Sequence, residues 1–433
     1  MNTQKTVSFY TLGCRLNMSE TGSIAQGFAE RGYEIVEYGN ESDVVFINTC
    51  TVTDGADSSC RNIIRQSQKS SPDAKIVVAG CYAQMEAEAV QKIGGVDLIL
   101  GTNEKYNVFK YLDESNDAIT KIDLTNEFWG AATTEFDSHT RAFLKIQDGC
   151  NYVCSFCIIP FARGRARTIS IQDALIEAQK ILDKGFKEIV LTGVNIGEYE
   201  HKSKEKLSHL VEELLKLDNL KRLRMSSVEP NTITDELLTV MKSSEKFLDH
   251  FHIPLQSGDD EILKSMRRKY TSSEYSDIAW KIKNYFPYCG IGADIIVGYP
   301  GETEEQFQNT YNLLETLPIT HFHVFPYSKR KGTTASKLEN QVNSEIKKKR
   351  VKILQELGEK KLTELNLKMV GLETEVLFET LDKNGFFTGY STNFLKVKIP
   401  VTNNVDLNNQ ILRVKISEYN EKEKYLLAKP LLH

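Results

Sequence analysis

The chain has 433 residues, 40% hydrophobic and 26% charged, with a net charge of −5. This is the balance of a soluble globular protein of two or three domains, and it argues against a generally cationic nucleic-acid binder while allowing a local basic surface. No apolar run reaches the ~20 residues of a membrane span. The start, Met1-Asn-Thr-Gln-Lys-Thr, runs into a strand-like stretch without a signal-peptide core, so a cytoplasmic protein with no membrane partner is expected. Eight cysteines in such a chain read as metal or catalytic ligands rather than disulfides.

Residues 1–130 alternate strand and helix signals. Strand-like runs at Lys5–Tyr10, Asp43–Asn48, Lys75–Ala79 and Asp97–Leu100 are separated by helical patterns near Met18–Arg31, Asp54–Ser70 and Ala83–Ile93. Continuous apolar runs divided by helices predict a parallel, doubly wound sheet. Cys14, Cys50 and Cys81 each follow one of the first three strands. Strand carboxyl ends are the edge where open α/β sheets bind ligands, so three cysteines distant in sequence are expected to converge on one site. Cys60 falls mid-helix and Cys289 at a strand start, and both read as packing residues.

Residues 130–140 are small and polar, as in a linker. Six βα units follow, with strands near Ala142–Ile146, Glu188–Leu191, Arg222–Met225, Phe251–Ile253, Ile291–Val297 and His321–Phe325. Six units are too few for a closed eight-stranded barrel, so a partial, open-sided (βα)6 barrel is expected. A long charged helix spans about Ser344–Leu365. The loop after the first barrel strand carries Cys150-Asn-Tyr-Val-Cys154-Ser-Phe-Cys157. A structural zinc site wants four ligands, and no fourth Cys or His lies nearby in sequence. Closely spaced cysteines hold iron–sulfur clusters, and three of them leave one iron open for a substrate.

From about residue 367 the helical periodicity stops. Short β-rich runs at Glu373–Glu379, Gly385–Ser391, Leu395–Ile399, Ile411–Tyr419 and Tyr425–Ala428 predict a small five-stranded antiparallel barrel. Such barrels often bind single-stranded nucleic acid.

The cysteine loop, with Phe156 before its last Cys, resembles the signature of the radical S-adenosylmethionine (SAM) enzymes. The three segments in order (1–130, 137–366 and 367–433) resemble the methylthiotransferases along essentially the whole chain: an N-terminal α/β domain with an auxiliary cluster, a radical SAM core and a TRAM-like RNA-binding barrel. The motifs at Thr11–Asn17, Asn48–Asp57, Ala79–Cys81 and Gln147–Arg165 are similar to the branch acting on threonylcarbamoyladenosine in tRNA. Arg15 stands where that branch more often has Lys, which keeps the charge.

This resemblance implies two [4Fe-4S] clusters and SAM as cofactors. Cys150, Cys154 and Cys157 would hold the reducing cluster, and Cys14, Cys50 and Cys81 the auxiliary one, which delivers sulfur. One SAM would supply the methyl group and a second the 5′-deoxyadenosyl radical. The product would be 2-methylthio-N6-threonylcarbamoyladenosine, formed at an aromatic C2–H that ordinary bases cannot deprotonate. Phe156, Gly193, Ser227, Glu229, Gln256, Asp294 and Ile296 are the expected SAM contacts. Arg163, Arg165 and Arg167 after the cluster loop, and Lys329, Arg330 and Lys331 after the sixth strand, are expected to meet RNA phosphates at the barrel mouth. The partners implied are a tRNA anticodon stem-loop, a low-potential electron donor and a sulfur donor. The alternatives are a methylthiotransferase for isopentenyladenosine or for a ribosomal aspartate, and an RNA-binding iron–sulfur sensor without catalysis.

Overall fold

The computed structural model describes residues 4–52, 54–114, 127–130, 140–200, 204–401 and 406–431. Most of the expected 130–140 linker lies outside the described residues.

The first unit is a parallel sheet of β1 (Thr6–Thr11), β2 (Glu34–Val36), β3 (Val44–Thr49), β4 (Lys75–Gly80) and β5 (Leu98–Leu100), in the order β2-β1-β3-β4-β5. Central β3 is buried throughout because helices cover both faces. Phe46 packs with Phe9, Phe28 and Val77 on one side. Val45 and Ile47 pack with Ile64, Val78 and Tyr82 on the other. Two elements differ from expectation. The edge strand β2 is only three residues long, Glu-Ile-Val, too short to read as a strand. The helix expected over Ala83–Ile93 is two, Cys81–Met85 and Ala87–Gln91, because Glu86 between them leaves the helical region (φ −135°, ψ 41°).

The second unit holds β6 (Arg141–Lys145), β7 (Gln147–Asp148), β8 (Arg167–Thr168), β9 (Glu188–Thr192), β10 (Arg222–Met225), β11 (His250–His252), β12 (Gly290–Val297) and β13 (His321–Pro326). Strands β10-β9-β6 form one parallel sheet and β11-β12-β13 another. Bridges at Leu223–Phe247 and Ser227–His252 join them into a six-stranded open barrel. The short antiparallel pair β7–β8 ties down both ends of the cysteine loop. Its turn needs Gly149, at φ +68°, where a Cβ would stand 2.1 Å from the Arg165 carbonyl oxygen.

The helix Ser344–Met369 leads into a closed barrel of β14 (Glu373–Leu381), β15 (Phe386–Ser391), β16 (Lys396–Pro400), β17 (Gln410–Asn420) and β18 (Tyr425–Pro430), ordered β14-β15-β16-β18-β17. The expected all-antiparallel pairing is corrected at one seam, where β16 and β18 run parallel. Val376, Phe378, Val397, Val414 and Leu426 fill this barrel, and Leu365 and Met369 of the helix plug it.

A buried ionic cluster joins the first two units. Glu20 of the helix Arg15–Ala29 pairs with Lys105 at 2.5 Å, Lys145 at 2.9 Å and Arg163 at 2.8 Å. Asp148 pairs with Lys145 at 2.8 Å, Arg163 at 3.0 Å and Arg167 at 2.9 Å. Asn17 accepts from Arg163 at 2.7 Å. The carboxyl of Glu20 is held well below the usual range by these cations against the cost of burial, and that of Asp148 is lowered likewise.

Removing one member of a buried ion cluster leaves its partners uncompensated, at a cost on the order of 3–5 kcal/mol. Glu20→Ala should therefore lower the first thermal unfolding transition clearly, whereas Glu30→Ala on the exposed end of the same helix should move it little. Depressed carboxyl pKa values contribute stability that is complete above the unfolded value of ~4 and is lost as pH falls toward the lower folded values. Wild-type stability should therefore begin to fall only below about pH 4, with a shallower acid slope in Glu20→Gln.

Candidate active site between two cysteine triads

In the 150–157 loop, the backbone holds the thiols inward. The Cys150 N–H donates to the Gly164 carbonyl at 3.1 Å, and the Cys157 N–H to that of Cys154 at 3.1 Å. The Tyr152 N–H donates to Cys150 Sγ at 3.3 Å. Burial pushes the Cys157 thiol up to about 12, and the neighbouring Cys154 adds to the shift. Two side chains that sequence reading missed complete this site. Arg268 donates to Cys154 Sγ at 3.1 Å and is ion-paired with Glu229. Glu198 accepts from the Asn151 N–H at 3.0 Å. Arg268 is 114 residues from Cys154, so no local pattern could have flagged it.

The other triad is built by the strand order. Neighbouring β1, β3 and β4 end at one edge, and Cys14, Cys50 and Cys81 follow them there. Gly13 brings the first loop against the second: at φ +99°, its Cβ would lie 2.6 Å from Cys50 Cβ. Burial pushes the Cys50 thiol up to about 12, with Cys81 and Cys14 adding to it. Burial raises the Cys81 thiol too, against the pull of Arg163 and Lys105. Each set is therefore three soft donors on one loop or one sheet edge beside a buried cation. That donor set fits an iron–sulfur cluster, whose assembly must displace the thiol protons. Cys60 and Cys289 are buried; Cys60 packs beside the 14/50/81 set, its Sγ donating to the Cys50 carbonyl at 3.3 Å.

Three of the six expected RNA contacts need correction. Arg163 is only 1% exposed and belongs to the ionic cluster with Glu20 and Asp148. Arg167 is buried on Asp148. Arg330 is buried and donates to Asp57 and Thr51 at 2.6 Å each, tying the 327–333 loop to the segment after Cys50. None of the three can reach a phosphate without breaking a buried pair. Arg165, Lys329 and Lys331 are exposed.

A cavity of about 490 Å³ lies between the units. Its walls are Gly13, Cys14 and Arg15 from the first, Thr192, Gly193, Ser227 and four histidines from the second, and Phe394 from the third. Nucleoside-sized ligands occupy volumes of this order. Of the expected SAM contacts, Gly193 and Ser227 line the cavity. Ser227 is hydrogen-bonded to His252. The carboxylate of Asp294 holds His252 at 3.1 Å and His323 at 3.3 Å. Phe156 and Ile296 share a small apolar cluster with Met266 and Tyr299 beside the cysteine loop. Gln256 takes φ +68° to bridge to β12. The expected list omitted all four cavity histidines. Their i, i+2 spacing on β11 and β13, His250/His252 and His321/His323, was the available signal.

Residues 144–314 match the Radical SAM superfamily, and residues 6–101 match the uncharacterized protein family UPF0004. Among relatives, the threonylcarbamoyladenosine tRNA methylthiotransferase MtaB of Bacillus subtilis (strain 168) is 39% identical, covering 96% of this chain and 95% of that protein. The chain belongs to the radical SAM methylthiotransferase family. The protein of the same name from Aquifex aeolicus (strain VF5) is 39% identical over 90% of this chain and 96% of its own. A tRNA-2-methylthio-N(6)-dimethylallyladenosine synthase from Acetivibrio thermocellus is 36% identical over 88% and 82%. Among solved structures, the radical SAM methyltransferase TsrM from Kitasatospora setae shares the fold, with a TM-score of 0.56 at 15% identity over 77% of each chain. This methylthiotransferase uses SAM and [4Fe-4S] clusters. No helix among the described residues is long and apolar enough to cross a membrane.

Two independent three-thiol sites predict about eight irons per chain after anaerobic reconstitution. Replacing Cys150, Cys154 and Cys157 with Ala should leave about four. A triple variant that keeps eight, or none, contradicts independent sites.

Proposed function

We propose that this enzyme transfers a methylthio group to C2 of N6-threonylcarbamoyladenosine beside the tRNA anticodon. In this reading Cys150, Cys154 and Cys157 hold the cluster that SAM joins, and Cys14, Cys50 and Cys81 hold the auxiliary one. When bound, the clusters and SAM supply the radical and the sulfur. The observation that carries the reading is the shared cavity. One wall carries the auxiliary Cys14, and another carries Thr192, Gly193 and Ser227 at the carboxyl ends of β9 and β10. A base inside the cavity lies beside Cys14 and against residues expected to meet SAM, Gly193 and Ser227. The several relatives named for threonylcarbamoyladenosine support the choice of base.

The chain's own residues bind, orient and exclude water. Phe156 and Ile296 offer an apolar seat for adenine, and Gly193 lets a ligand approach the backbone closely. Arg268 and Arg163 set a positive charge beside each thiolate site, which favours the anionic form of the ligands. The substrate is a tRNA anticodon loop, already single-stranded, so taking its base out of the stack costs little. That substrate places the enzyme in the cytoplasm. A low-potential electron donor and a sulfur donor must serve it. Arg165, Lys329 and Lys331 are exposed cations on the cluster loop and the 327–333 loop, and the C-terminal barrel is the second RNA contact.

Nucleoside mass spectrometry after anaerobic reaction with tRNA tests the assignment. The expected product is 2-methylthio-N6-threonylcarbamoyladenosine; a methylthiolated isopentenyl or dimethylallyl nucleoside in its place would replace the substrate. Removing Cys14, Cys50 and Cys81 should leave reductive SAM cleavage but abolish methylthio product. Product retained in that variant removes the auxiliary-site assignment. Joint replacement of Arg165, Lys329 and Lys331 by Ala should flatten the log–log salt dependence of tRNA binding by about 0.7 per lost contact. An unchanged slope puts the RNA path elsewhere.

A further inference from the structure

The cavity is asymmetric in charge, and the asymmetry lies beside Cys14. Four guanidiniums gather near its lower end, those of Arg15, Arg141, Arg222 and Arg224. Glu188 holds Arg222 at 2.8 Å and Arg224 at 2.9 Å. Glu375 adds a second contact to Arg222 at 3.2 Å, and Glu379 holds Arg141 at 2.7 Å. Three carboxylates face four cations. Arg15 is the one left without an ion-pair partner among the described residues, its guanidinium 5.7 Å from the ring of Phe394.

No other cavity group supplies this charge. His252 and His323 already share the carboxylate of Asp294. His250 and His321 pack edge to face at 5.5 Å, and His250 lies 4.9 Å from Phe394, so these three rings form one aromatic wall. The cavity thus offers one half-buried, unmatched cation, aromatic ring faces and edges, and Cys14 next in the chain to that cation.

We propose that Arg15 binds the carboxylate of the threonyl group and thereby selects threonylcarbamoyladenosine. This inference rests on the functional reading above. The chemistry of the purine supports it. C2 and C6 both flank N1, so a chain carried on N6 leaves the same edge of the ring that presents C2. A residue adjacent to an auxiliary-site cysteine is where that chain arrives when C2 faces the sulfur. A guanidinium matches a carboxylate with two parallel hydrogen bonds, and a neutral N6 substituent would cover it and leave it unpaired. The same residue therefore attracts the anionic base and disfavours an apolar isopentenyl one.

The test uses the reconstituted full chain and two synthetic anticodon stem-loops. One carries threonylcarbamoyladenosine, and the other the same nucleoside with its carboxylate converted to a primary amide. Binding is read by anisotropy and methylthio product by mass spectrometry. Wild type should prefer the acid by about 10- to 100-fold in kcat/KM, with a parallel difference in Kd. Arg15→Gln should collapse that ratio toward one, chiefly by weakening the acid. Arg15→Lys should keep most of it, because the charge remains. Equal use of acid and amide by wild type overturns the proposal while leaving the functional reading intact. So does a preference that survives in Arg15→Gln, or one that Arg15→Lys loses as fully as Arg15→Gln. If wild type thiolates neither stem-loop but does thiolate one carrying isopentenyladenosine, the functional reading falls, and the proposal with it.

Discussion

The Glu20 carboxylate is the constraint on which the site depends. It is fully buried and collects Lys105 from its own unit and Lys145 and Arg163 from the barrel. Asp148, two residues before Cys150, shares two of those cations and adds Arg167. Buried charges are tolerated only when their geometry is tightly satisfied, so this cluster admits essentially one relative placement of the units. That placement sets the auxiliary cysteines opposite the cluster loop. A hydrophobic interface of similar area would bind as well but would permit sliding. The ionic one fixes register and also puts cations against Cys81.

The same logic repeats at the far end of the barrel. Arg222 and Arg224 use Glu188 and then donate to the Tyr390 and Ser391 carbonyls of the C-terminal barrel. The turn that follows carries Phe394 into the cavity. Arg330 on Asp57 and Thr51 provides a third tie, beside Cys50. Each unit has its own apolar core. Polar ties between these cores shape the cavity walls. A core supplies stability without direction, whereas a charge-assisted hydrogen bond supplies direction.

The folds of the three units and the convergence of Cys14, Cys50 and Cys81 at one sheet edge were readable from sequence because each rests on a local pattern. Continuous apolar runs announce parallel strands, and Cys14, Cys50 and Cys81 stand in the same place relative to theirs. The interface was not readable. Glu20 sits in a helix whose polar residues look solvated, and its partners lie 85, 125 and 143 residues away. Arg163, Arg165 and Arg167 misled for a related reason. Their i, i+2, i+4 spacing would put all three on one face of an extended strand, but Arg163 ends the short helix Ile159–Arg163 and Gly164 turns the chain at φ +78°, so Arg163 and Arg167 fold inward onto Asp148 while Arg165 faces solvent. Periodicity alone could not say which side was buried.

The central claim is that the Glu20 cluster holds two chemical sites in productive register. The most direct measurement is the ratio of 5′-deoxyadenosine formed to methylthio nucleoside formed, in wild type and in Glu20→Gln, each with full iron content. The account predicts that the variant still cleaves SAM but wastes it, raising the ratio several-fold. An unchanged ratio, with both products falling together or neither falling, would contradict it.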